Sequence, residues 1–357
     1  MKVKKRGRTL KASPILKSEQ IKQYFLSELE NAEKDLDALS EEQVRETLDF
    51  WNKYTKLDSA GWAAYYTKRT GRFDARYVPY DLFYGEIDLV LNNAARAYGI
   101  DDKLLYYRLL PKELLPEMII SKIGSVYRDS ENRIISADNA YRLCEDEAEV
   151  VYKPSFGTCG GNGVTVFSLP RDKDFFQRIL SKSVGVIVQK KIIQHSDLAV
   201  FHPASVNTVR MLTYMRENGE VVVLSAALRM GVGKMKVDNN CSGGCSCGIC
   251  KDGTLRSIGY SNEGNQIEKH PDGVAFKNLR IPCYEKMVST AKEVHNLFPM
   301  FAVLAYDFSV NEQGELVLIE INIGKPSIDF MQLNNGPLFG RYTLEILERV
   351  YKEPFIC

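Results

Sequence analysis

No stretch of this 357-residue chain approaches the roughly 18 consecutive apolar residues of a membrane-crossing helix, which excludes a helical membrane span. The opening MKVKKRGRTLK is basic but has no apolar core behind it, so it does not read as a secretory signal, and a cytoplasmic protein is expected. Those basic residues suit either a solvated tail or weak contact with an anionic membrane surface. An excess of one charge is also missing. With 47 Lys and Arg against 46 Asp and Glu, net +1, the composition predicts neither a nucleic-acid partner nor an acidic tail. Histidine is scarce, and His195, His202, His270 and His295 are scattered, with no Ser-His-Asp arrangement to suggest nucleophilic hydrolysis. Eight cysteines in a chain this long do not form the spaced framework of a small secreted domain, so reduced thiols are the expectation. Four of them bunch in CSGGCSCGIC (Cys241, Cys245, Cys247, Cys250). Two readings stand there: a crowded Zn²⁺ or iron–sulfur site, or small residues in a tight glycine loop. No internal repeat or low-complexity segment is present.

What is present is enough apolar material, 45% with 19 Tyr and 16 Phe, for two or three subdomains sharing a cleft. From Ser18 to Lys56, apolar residues at helical spacing (Ile21, Tyr24, Phe25, Leu29) predict a helical hairpin. Residues 60 to 120 mix aromatic and charged segments and carry no assignable chemistry. SKIGSVYRDSENRIISADN reads as a hairpin turning near Glu131 and Asn132. After Glu149 strand-like runs dominate: VVYK and VTVF around a glycine loop, GVIVQKKI, then VRMLTYM and EVVVLSAALRM joined at Glu217-Asn218-Gly219, and finally VLAYDFSV and ELVLIEIN. Helices are expected after Asp172 and over 283–297. This order predicts an α+β protein with antiparallel sheets and excludes a doubly wound parallel sheet.

Two features carry chemistry. In VYKPSFGTCGGNGVTVF, the glycines let backbone N–H groups approach a ligand and Lys153 supplies a positive charge, so phosphate is the natural occupant; a plain long turn is the alternative. The loop lacks the GK[ST] ending of a P-loop, and a strand follows it where a dinucleotide-binding turn would open a helix. The second feature is the last hairpin. A two-residue loop at Gln313-Gly314 pairs Glu312 with Glu315 and sets Asp307 opposite Glu320; a four-residue loop keeps that parity and a bulge breaks it. Asn322 shares their face. Two carboxylates and an amide oxygen on apolar strands suit Mg²⁺, unless the pair simply faces solvent.

Taken in order, VYKPSFGTCGGNGV, VQKKIIQHSDLAVFHPASVNTVRMLTYM, ALRMGVGKMKVDNNCSGG, and AYDFSV followed by LIEIN resemble the ATP-grasp superfamily, and within it the sugar-transfer-associated proteins. The likeness is specific from about residue 118 to 335 and absent from the helical N-terminus. It implies two α+β subdomains clamping ATP, with an N-terminal helical extension. The divisions it implies are a basic tail and helical hairpin over 1–60, a linker subdomain over 61–145, a small lid over 146–195, a catalytic subdomain over 196–345 and a tail over 346–357. The resemblance implies that Lys153, Gly160, Gly161 and Gly163 meet the phosphates, with Lys122 a looser match to an earlier phosphate lysine. Gln189, Lys190, Lys191 and Ile192 correspond to the adenine hinge, although Lys190 stands where an acidic residue is common. Asp197 corresponds to a ribose contact.

By the same resemblance, Arg210 and Arg229 neutralise the γ-phosphate and the reacting acid, and Asp307, Glu320 and Asn322 match the magnesium triad. Asn239, Lys325 and Asp329 are candidate substrate contacts; Lys325 and Asp329 also read as ordinary loop residues. The implied activity is ADP-forming, carboxylate–amine ligation through an acyl phosphate, with ATP and Mg²⁺. Its substrates would be a small-molecule or glycan-linked acid and an amine from polysaccharide biosynthesis. A phosphotransferase acting on a hydroxyl and a non-catalytic nucleotide-binding protein are the alternatives.

Overall fold

The computed structural model describes residues 19–100, 102–157, 163–233, 243–324 and 326–351. Two helices, α1 (Glu19–Glu33) and α2 (Glu41–Trp51), occupy the stretch expected to be a helical hairpin, but they pack apart: Leu29 and Ala32 of α1 join Trp62 and Tyr66, whereas Leu48 and Trp51 of α2 enter a separate core. Ser40 starts α2 with a capping box, its hydroxyl accepting from the Gln43 amide while the Gln43 side chain accepts from the Ser40 amide. Trp51 ends α2 fully buried, donating from Nε1 to the Ala75 carbonyl at 3.0 Å.

The stretch without a sequence assignment is a string of short helices: α3 (Gly61–Thr70), α4 (Tyr80–Leu82), α5 (Asp88–Leu91), α6 (Ala94–Ile100) and α7 (Lys103–Leu109). A π-helical turn, Phe83–Ile87, joins α4 to α5.

A six-stranded antiparallel sheet follows, built from β1 (Met118–Ile123), β2 (Val126–Asp129), β3 (Ile134–Ile135), β4 (Glu149–Pro154), β5 (Thr165–Ser168) and β6 (Gly185–Lys190) in the order β3-β2-β1-β6-β4-β5. The turn near Asn132 is where it was expected, with Asn132 at φ 64°, but it joins β2 to β3 and a second turn at Gly124 joins β1 to β2. Helices α8 (Ala137–Glu145) and α9 (Leu169–Lys182) cover one face, whose core contains Ile120, Val150, Phe167, Phe176, Leu180, Val186 and Val188. Strands from both sides of residue 146 share this sheet, so the lid boundary expected there runs through a single layer that begins at Met118.

The second sheet is also antiparallel and holds seven strands: β7 (Thr208–Met215), β8 (Val221–Met230), β9 (Cys245–Ile249), β10 (Leu255–Ser261), β11 (Gln266–Ile267), β12 (Val303–Val310) and β13 (Leu316–Asn322). Its order is β11-β10-β9-β8-β7-β12-β13. The short helix α10 (Ser196–Ala199) precedes it. One face packs Val209, Met211, Leu228, Tyr306 and Phe308 against Met287, Ala291 and Val294 of α11 (Tyr284–Asn296). The other packs Leu212, Ala227 and Ala305 against α12 (Ile328–Asn335) and α13 (Thr343–Tyr351).

The β12–β13 hairpin departs from the expected two-residue loop. Asn311 pairs with Glu315 across a three-residue turn, its amide donating to the Glu315 carbonyl at 2.9 Å. Val310, Ser309 and Phe308 then face Leu316, Val317 and Leu318. A bulge at Ile319 shifts the register again, so that Asp307 does face Glu320 and Ala305 faces Asn322. Two one-residue shifts cancel, and the acidic pair is restored. Among the described residues, no helix is long and apolar enough to cross a membrane.

Candidate active site

The pairing of β12 with β7 sets Asp307 opposite Arg210 as well as Glu320, and Arg229 lies on the next strand opposite Thr208. Directly opposed residues share a face, so these side chains converge. Arg210 donates to Asp307 from Nε at 2.5 Å and from Nη2 at 2.9 Å, and its Nη1 reaches the Pro326 carbonyl at 3.0 Å. Arg229 Nη1 lies 3.3 and 3.4 Å from the same carboxylate, and Asn322 Nδ2 donates to it at 3.4 Å. Burial pushes the Asp307 pKa up, but the charges of Arg210 and Arg229 outweigh that, holding the carboxyl below its ordinary range.

Glu320 pairs instead with Lys103 at 2.9 Å. Lys103 lies at the first turn of α7, after an N-cap in which Asp102 accepts from the Leu104 amide, and its own amide donates to the Ser155 carbonyl at 2.8 Å. That bond ties α7 to the strand end that leads into the glycine loop. On that strand, β4, Lys153 faces Ile187 of β6, on the side opposite the α8–α9 layer. Burial lowers the Lys153 pKa to about 8; Glu320 opposes the shift and Lys103 adds to it, so the three charges share one neighbourhood.

Lys103, which the sequence reading missed, therefore joins Lys153, Arg210, Arg229, Asp307, Glu320 and Asn322. Its signal was local. A lysine directly after an N-cap works against the helix dipole, which disfavours cations there.

Residues 179–346 match the model described as sugar-transfer associated ATP-grasp. Just under half of the chain is thus similar to that family.

No curated protein matches the chain significantly. Among similar solved structures is N5-carboxyaminoimidazole ribonucleotide synthetase with ADP, at 14% identity and TM-score 0.38, covering 62% of this chain and 44% of that one. D-cycloserine synthetase matches at 14% identity and TM-score 0.41, covering 72% and 71%. D-alanyl-alanine synthetase A from Vibrio cholerae matches at 12% identity and TM-score 0.43, covering 72% and 65%. The chain thus spans less than half the length of the first of these.

The ATP-grasp match begins inside α9 and leaves out β1–β5, so Lys103 and Lys153 join the site through geometry alone. Lys122 does not join them. It pairs with Val186, on the sheet face turned toward α8 and α9, and its ammonium donates to the Ser181 and Ser183 carbonyls at 2.9 and 2.5 Å. Lys122 thus caps the end of α9, a satisfied structural role that corrects its expected place among the phosphate ligands.

Gln189 shares the Lys153 face and donates from Nε2 to the Tyr107 hydroxyl. The Lys190 and Lys191 side chains turn out to the surface, Lys190 pairing with Glu117 at 2.9 Å and Glu147 at 3.0 Å, and Lys191 with Glu149 at 2.7 Å. Any hinge contact from this pair falls to backbone atoms. Ile192 continues the segment half-buried, and Asp197 sits exposed at the start of α10, its amide donating to His195 Nδ1 at 3.2 Å.

Gly163 has φ 78°, a left-handed backbone that favours glycine. Gly160, Gly161, Asn239 and Lys325 lie outside the described residues. Cys245 and Cys247 point into the core of the large sheet, where burial pushes both thiols up to about 12, and Cys241 lies outside the described residues. Among the described residues, no three His, Cys, Asp or Glu side chains gather as a metal cluster. The magnesium candidate is accordingly two carboxylates and an amide. That donor set fits a hard cation which keeps other ligands from its substrate.

His202 and His270 are structural. His270 Nε2 lies 2.8 Å from the Gly231 carbonyl and its Nδ1 accepts from the Asp272 amide at 3.1 Å, while His202 Nδ1 lies 3.4 Å from Asp272 Oδ2. Together they pin the end of β8, which carries Arg229.

Proposed function

We propose that the chain is an ATP-dependent, ADP-forming carboxylate–amine ligase that works in the cytoplasm on a sugar acid or polysaccharide precursor. One observation carries this reading. Among the described residues, four buried cations, Lys103, Lys153, Arg210 and Arg229, gather at the carboxylates of Asp307 and Glu320. Desolvated positive charge is costly, and a polyphosphate compensates it. The family description, sugar-transfer associated, supports a sugar-linked substrate.

In this reading a substrate carboxylate oxygen attacks the γ-phosphorus of ATP, the bond to the bridging oxygen breaks, and ADP leaves. The amine then attacks the acyl carbon, an amide forms, phosphate departs, and the amine loses a proton. Lys153 and Lys103 align the phosphates, while Arg210 and Arg229 offset charge on the transferring group and the reacting acid. Asp307, Glu320 and Asn322 would hold magnesium, which supplies further charge stabilisation at the phosphate oxygens.

The test is ADP release across a panel of sugar acids and amino acids, with hydroxylamine as trap. Turnover requiring both substrates, together with hydroxamate formation, supports ligation. A phosphorylated hydroxyl product without free phosphate replaces it with phosphotransfer.

A further inference from the structure

The amine needs a place to bind, and the structure offers one beside the phosphate end. Arg210, which grips Asp307, also holds the Pro326 carbonyl, and the next amide, Ser327 N–H, donates to the Tyr84 hydroxyl at 3.1 Å. Two residues on, Asp329 stands half-buried in the first turn of α12. Around it lies an aromatic wall. Tyr84 packs on Tyr80 at 4.8 Å between ring centres and stacks on Phe25 of α1 at 6.3 Å; Tyr80 meets Trp62 at 5.5 Å, and Trp62 meets Tyr65 at 5.6 Å.

We propose that Asp329, walled by Tyr65, Tyr80 and Tyr84, is the subsite for the ammonium group of the acceptor. Among the described residues Asp329 has no ion-pair partner, and a carboxylate taken partly out of water is short of positive charge. Burial raises its pKa against the bonds it accepts from the Phe330 amide and its own; among the described residues the one cation acting on it is Arg210, which is already engaged by Asp307. The phenols of Tyr65, Tyr66, Tyr80 and Tyr84 are raised first by burial, and all four also feel the Asp329 charge, which places them close around it.

The wall already holds one cation, the Arg69 guanidinium lying 3.6 Å from the centre of the Tyr65 ring, and an ammonium at Asp329 would pair with the carboxylate beside the remaining tyrosine edges and faces. In the same cluster the indole N–H of Trp62, a residue 5% exposed, has no acceptor among the described residues, and an oxygen of the same ligand would supply one. A neutral hydroxyl acceptor leaves the carboxylate with its backbone N–H bonds but without a cation of its own. The helical N-terminus thereby gains a role, since α1 and α3 form the wall of this subsite.

The inference rests on the ligase reading for the acceptor's identity as an amine, but its test needs no catalysis. Saturation-transfer NMR on the full chain with Mg²⁺ and a non-hydrolysable ATP analogue compares glucosamine, alanine and putrescine with their N-acetyl forms. At least one free amine is expected to bind ten-fold or more tighter than its acetylated partner. Asp329→Asn removes that preference, Asp329→Glu restores part of it, and Tyr65→Leu weakens amine binding several-fold; melting temperatures verify that each variant is folded. No discrimination in any pair, or discrimination unchanged in Asp329→Asn, overturns the proposal. Loss of ADP release and hydroxamate formation in the parent protein would instead overturn the ligase reading and leave the amine measurement standing.

Discussion

The Asp307 carboxylate lies in a two-point grip from Arg210, at 2.5 and 2.9 Å, while its cross-strand neighbour Glu320 is held by Lys103. The two carboxylates expected to share one metal ion are thus each matched with a different cation. Asp307 is buried and Glu320 is not fully so, with a side-chain exposure of 21% against 7%. Removing their charges should therefore have different consequences for the fold and the same consequence for chemistry.

Asp307→Asn leaves two buried guanidiniums without their counter-charge, and is expected to cost about 3–5 kcal/mol of stability. Glu320→Gln breaks a partly solvated pair and should cost roughly 1 kcal/mol. Both should abolish Mg²⁺-dependent ATP turnover. Urea unfolding and ADP release check the two halves, and equal destabilisation would contradict the burial argument.

Lys153, with its pKa depressed to about 8, gives a pH signature. Its unfolded value is near 10.5, so between those values the unfolded chain binds more protons and stability rises with pH. Relative to Lys153→Met, the parent should carry a penalty on the order of 3 kcal/mol below pH 8 that fades toward about pH 10.5. The check is chemical unfolding of both proteins across that range.

The two candidate phosphate lysines outside β4 should separate cleanly. Lys103→Met removes a charge beside Glu320 and Lys153 and should weaken ATP binding roughly 10–100-fold. Lys122→Met exposes no phosphate contact but strands the final carbonyls of α9, costing about 1–3 kcal/mol while leaving ATP affinity unchanged. Calorimetric titration and thermal melts distinguish the pair.

Gly231 is required by its surroundings. A Cβ there would lie 2.5 Å from Ser205 Oγ and 2.7 Å from His202 Cδ2. Gly231→Ala should destabilise by about 1–3 kcal/mol. The Ser205 hydroxyl has no hydrogen-bond partner, so Ser205→Ala alone should be nearly neutral and should recover part of the loss in the double variant.

Much of this was legible in the sequence. The Asn218-Gly219 hairpin, the apolar face of α11 and the alternation in β12 follow from period and turn chemistry, and they brought Asp307 and Glu320 together. The expected loop is even and the observed one is odd, and the Ile319 bulge restores the pairing. Lys122 misled because a strand lysine near a predicted phosphate site looks alike on either side of a sheet; the side is decided by whether it faces Val186 or Ile187. Lys103 and the tyrosines of residues 60–90 escaped because short helices and a π-turn show no sustained periodicity. Their convergence depends on partners more than 200 residues away, such as Ser327 for Tyr84.

The chain enters the six-stranded layer at Met118 and leaves it at Lys190. Those ends lie side by side, since Met118 faces Gln189 across adjacent strands. The layer is also tied to the α7 region, by Gln189 with Tyr107, Asn132 with Arg108 and Glu131 with Lys112. Its far edge, where β4 runs into the glycine loop, is latched to α7 by the bond between Lys103 and Ser155. Stiffness at that corner therefore depends on the same lysine that pairs with Glu320.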